Sequence, residues 1–123
     1  MRRASNIMIF VAAIFCLIGR ADVYAAATQA WTDVINSPGN GYDSASKVVT
    51  DSSGNVYVTG TIGGTTSNWD DPGLDILTTK YSSSGVKLWE ARYNGTGNGA
   101  DINPSIVIDS NGYVYISGGS VAT

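Results

Sequence analysis

Val49-Thr50-Asp51-Ser52-Ser53-Gly54-Asn55-Val56-Tyr57-Val58-Thr59-Gly60 is two short β-favouring runs joined by Asp-Ser-Ser-Gly. Val and Thr branch at Cβ and Tyr is aromatic, so both runs suit a pleated strand. An Asp that can bond its own backbone, followed by a Gly that accepts positive φ, suits the tight turn between them. The stretch predicts a hairpin: strands at Lys47–Thr50 and Asn55–Thr59 around a turn at 51–54. At an offset of 58 the chain restates it as Val107-Ile108-Asp109-Ser110-Asn111-Gly112-Tyr113-Val114-Tyr115-Ile116-Ser117-Gly118.

The restatement extends well beyond the hairpin. Residues 31–63 laid on 89–121 give 13 identities in 33 ungapped pairs. Trp31 falls on Trp89, Asn36 on Asn94, Gly39-Asn40-Gly41 on Gly97-Asn98-Gly99, and Asp43 on Asp101. Val48/Ile106, Val58/Ile116 and Thr59/Ser117 are conservative pairs. Self-similarity at a fixed period of tens of residues marks a repeat architecture. The remainder of the first unit reads as a long loop over 61–74, a third strand at Ile76–Tyr81, a turn at Ser82–Gly85 and an alternating fourth strand at Val86–Tyr93. No stretch after residue 30 has helical spacing. Four short antiparallel strands per unit predict an all-β fold of propeller blades.

These motifs resemble the seven-bladed β-propeller (SBBP) repeat family of secreted prokaryotic proteins. The resemblance is carried by Val49–Gly60, by Gly73-Leu74-Asp75-Ile76-Leu77-Thr78-Thr79-Lys80-Tyr81 with Ser84-Gly85, and by the second motif at Val107–Gly118. It covers 31–121. NHL-type propeller repeats share the D-x-x-G-N-x-Y-V core. Tyr113 departs from the pattern where Asn follows the hairpin Gly, a local change of turn chemistry. Under this reading residues 28–123 are a partial propeller, with repeat 1 at about 31–88 and a truncated repeat 2 at about 89–123. One blade cannot bury both faces of its sheet, and propellers close with ~4–8 blades. The chain is therefore expected to be a fragment of a longer product, or else a short chain that joins others in a ring. Further blades in cis or in trans are its expected partners.

The chain has 123 residues, no His and one Cys, Cys16. Disulfide frameworks and His-based catalytic or metal arrangements are thereby excluded from the remainder. Residues 1–27 have the layout of a secretory signal peptide: Arg2-Arg3, the apolar run Ile7–Gly19, then small residues fitting cleavage after Ala25 or Ala27. That run falls short of the ~20 residues of a spanning helix, and Arg20 and Asp22 end it. Phe15 before Cys16 does not fit a lipobox. The expected location is secreted, extracellular or at the cell surface, with the periplasm as the other compartment, and no stable membrane span remains after cleavage. From Thr28 onward four bases face nine acids, a net charge of −5. Such a surface suits neither phosphate nor nucleic acid.

Asp70, Asp71 and Asp75 beside Trp69 are the candidates for a metal or sugar site. Asp51 and Asp109 do not meet the EF-hand spacing and read as turn residues. Residues repeated once per unit read as structural: Trp31, Asp51, Gly54, Tyr57 and Gly60, and their counterparts Trp89, Asp109, Gly112, Tyr115 and Gly118. No catalytic constellation and no cofactor site emerge. The expected function is a non-enzymatic scaffold or binding module for a protein or polysaccharide. The alternative is a piece of a carbohydrate-active propeller enzyme whose site needs further blades. A self-assembling structural protein is the third reading.

Overall fold

The Asp51 turn forms as its residues dictate. In the computed structural model Gly54 has φ +77° and its amide donates to the Asp51 carbonyl, at 3.0 Å. The strands on either side are β1 (Ser44–Thr50) and β2 (Val56–Gly63). β3 (Leu74–Tyr81) and β4 (Lys87–Tyr93) follow, then β5 (Asp101–Ile108) and β6 (Val114–Ser120). Residues 28–37, 41–66, 68, 69 and 71–121 are described. The signal-peptide reading of 1–27 falls outside the described residues. Among those residues there is no helix, hence none long and apolar enough to cross a membrane. All six strands lie beyond residue 32, and residues 28–32 have no regular secondary structure.

β1 to β4 form an antiparallel sheet in sequence order, and β5 and β6 form a separate antiparallel pair. The all-β expectation is met. The four strands of the sheet run from 44 to 93, so the repeat boundary drawn at 88/89 falls inside β4. Trp31 consequently lies outside any strand while its counterpart Trp89 lies within one.

The two units agree in fine detail. The β1–β2 register shifts between Ala45 and Lys47, and the β5–β6 register shifts between Ile102 and Ser105. Adding 58 to the first bulge gives a position inside the second. Pro104 occupies that second bulge, where the missing ladder donor costs nothing.

β3 is the centre of the core. Leu74, Ile76, Leu77 and Tyr81 are buried, Leu74 completely. The buried hydroxyls of Thr59 and Thr78 meet at 3.0 Å, and Thr59 Oγ1 also donates to the Leu77 carbonyl. Sheet pairing puts Tyr57, Thr59, Ile76, Thr78, Trp89 and Ala91 on one face. β5 packs against β1, β2 and β3. Lys47 Nζ donates to Ser105 Oγ at 3.4 Å, joining residues that occupy equal positions in the two units. Gly118 of β6 comes so close to the sheet that a Cβ there would run into Ile76 Cδ1. A larger residue there would require the Ile76 side chain to move aside.

Candidate functional site

Asp71 is turned inward onto its own loop. Its Oδ2 accepts the amides and hydroxyls of Thr65 and Thr66, and its Oδ1 accepts the Gly73 amide at 2.8 Å. The Gly73 and Thr65 amides, with the Thr66 hydroxyl, hold its carboxyl down at about 2. A carboxylate saturated in this way closes the loop between β2 and β3. Asp75, at the start of β3, is buried and ion-paired with Arg92 of β4. Asp70 lies outside the described residues. Among the described residues no three acidic or Cys side chains converge as metal ligands would. Thr65 and Thr66, hydroxyl residues a few positions before Asp71, are the sequence signal for this internal role.

The repeated residues hold matching contacts. Asp51 Oδ1 accepts the amides of Ser53 and Asn55, and its Oδ2 accepts the Tyr57 hydroxyl at 3.1 Å. Asp109 does the same with Asn111, Tyr113 and Tyr115, the last also at 3.1 Å. The Asn55 side chain adds a bond to Asp51 that Tyr113 cannot supply to Asp109. This is the local change expected at Tyr113. The Asn55 side chain is the main cause holding the Asp51 carboxyl at about 2. A second repeated latch joins Asp43 to the Ser37 amide and Asp101 to the Gly95 amide.

Surroundings distinguish the counterparts. Tyr57 is 3% exposed, with Trp89 edge-on at 5.9 Å and Lys80 Nζ 4.7 Å from its ring centre. Tyr115 is 54% exposed. β3 and β4 supply Lys80 and Trp89 to the first hairpin, and among the described residues β6 has no strand beside it on that side.

Described residues border two open clefts. A polar one of about 240 Å³ is bordered by Tyr42, Ser44, Ser46, Thr61, Trp69 and Asn103. Two aromatic rings among hydroxyl and amide groups can stack on an apolar ring face while bonding its hydroxyls. Asn103 holds φ +54°, a conformation Asn tolerates better than most residues. Sequence reading found Trp69 but missed Tyr42, just before β1, and Asn103, inside the β5–β6 register shift. The larger cleft, about 560 Å³, separates β4 from β6. Trp89, Ala91 and Tyr93 form one wall, and Val114 and Ile116 stand on the other.

Comparison of the chain with family models, curated proteins and solved structures gives no match.

Proposed function

We propose that this chain is part of a secreted β-propeller built from SBBP-type or closely related repeats, acting as a non-enzymatic binding scaffold. The observation that carries the reading is the stacking of counterpart strands. β5 lies against the sheet that contains β1, with Lys47 touching Ser105, and both units share one turn, one latch and one bulge at the same offset. Blades arranged around an axis have this relation. Export rests on the Arg2-Arg3, apolar and small-residue pattern of residues 1–27.

Binding is assigned to the polar cleft, with a polysaccharide as the class of ligand. Loops held on a rigid sheet commonly carry recognition, and Tyr42 and Trp69 provide stacking surfaces there. The test is retention of the full chain on a panel of immobilised polysaccharides, together with assay of released reducing ends. Retention without release, lost in Trp69→Ala, supports a binding module. Release of reducing ends supports the enzyme alternative instead. Absence of retention on every polymer removes the carbohydrate assignment.

A further inference from the structure

We infer that the β4–β6 cleft is a docking groove for one further β-strand, of the residue pattern of β3, supplied by the β3–β4-type hairpin of another repeat. The inference rests on the repeat reading above and is independent of any carbohydrate ligand.

Three observations meet at this groove. Among the described residues β6 is bonded to β5 on one side only, and its sequence, Val-Tyr-Ile-Ser-Gly-Gly-Ser, contains no charge and no Pro. Edges that must stay unpaired usually carry such guards. Across the cleft, every residue of β4 is exposed, including Leu88, Trp89 and Tyr93. A strand laid beside β6 would cover that wall. Finally, Asp101 is fully buried with Oδ1 lacking a hydrogen-bond partner. Unpaired buried carboxylate oxygens are costly and rare.

The first unit shows what completes the second. Asp43 is the counterpart of Asp101, and its Oδ1 accepts the Gly63 amide at 3.2 Å. Gly63 is the last residue of β2 and stands opposite Leu74 of β3. The counterpart of Gly63 is Val121, which lies beyond the end of β6 and donates instead to the Ala100 carbonyl. A β3-type strand would extend β6 by this one residue and bring the Val121 amide to Asp101.

The register follows from β2–β3. Val56 pairs with Tyr81, Val58 with Thr79 and Gly63 with Leu74. The docked strand therefore sets its Tyr81 position against Val114, its Thr79 position against Ile116 and its Leu74 position against Val121. β3 of a second copy is not the natural donor, because β2 and β4 already bond both of its edges.

The test adds a synthetic peptide of sequence 73–93 to the full chain. Binding is followed by native mass spectrometry and by hydrogen exchange. The expected result is a one-to-one complex in which amides over 114–121 exchange at least about tenfold more slowly. The same peptide with Thr79→Pro should not bind, because in β3 the Thr79 amide faces the β2 side, and Pro removes that ladder donor. The chain variant Ile116→Arg should keep the exchange pattern of β2 and β3 and lose most of its affinity for the peptide. Equal binding of both peptides, protection confined to other strands, or no complex at millimolar peptide overturns the inference. Peptide-independent protection of 114–121 through self-association overturns it in favour of a second copy. None of these outcomes bears on polysaccharide retention, so the two readings fail separately.

Discussion

Tyr57 and Tyr115 hold equal places in two hairpins, donate to equivalent carboxylates over equal distances, and differ more than tenfold in exposure. Ile106 and Val48 make the converse pair. Ile106 is 1% exposed because β5 sits on the first sheet, and Val48 is 60% exposed. The first unit is thus covered on its Tyr57 face and the second on its Ile106 face. Local sequence sets the turn, the latch and the bulge. Neighbouring strands set the burial, and through it the energetic weight of each residue.

Substitutions at counterpart positions sharpen this contrast. Leu74→Ala leaves a cavity at the fully buried start of β3, and a loss of about 2–5 kcal/mol is expected in chemical denaturation. Ile106→Ala should cost an amount in the same range, whereas Val48→Ala should stay within about 1 kcal/mol. Equal costs at 48 and 106 would break the comparison. Asp51→Ala should lower Tm more than Asp109→Ala, because Asp51 also serves the Asn55 side chain and lies 3.7 Å from Lys80. The smallest effect is expected at Tyr115→Phe, with no measurable change in Tm, against a clear decrease for Tyr57→Phe.

Acid acts through two carboxylates of the first unit. Asp51 and Asp71 are held at about 2, below the ordinary 3.8. Folding favours their ionised forms, so their contribution is complete above the ordinary carboxylate range. It is lost as pH falls through about 2. Urea midpoints measured from pH 5 downward should therefore fall steadily, and the fall should be shallower in Asp71→Asn. An unchanged slope in that variant would remove Asp71 from the set of stabilising carboxylates.

Much of the strand order was legible because each turn carries its own chemistry. Asp51 to Gly54 and Ser82 to Gly85 mark hairpins by residue type alone, and Gly54 and Gly85 both adopt positive φ. Strand ends were harder to read. Ser44-Ala45-Ser46 has little β preference and joins β1 only through pairing with Gly60 and Thr61. β2 runs on to Gly63 for the same reason. Asp71 and Asp75 read as a possible ligand cluster because sequence does not reveal direction. Asp71 faces its own loop, and Asp75 meets Arg92 across the β3–β4 pairing. Neither cleft could be read locally, since each is bounded by strands far apart in the chain.

The most direct test compares hydrogen exchange along β2 and β6 in the full chain without added ligand. Both strands descend from the same motif, but only β2 is paired on both sides. The amides of 56–63 should be protected to near the global limit, and those of 114–120 should exchange far faster wherever they face the open edge. Equal protection of the two strands would show that burial follows the motif rather than its neighbours, contrary to this account.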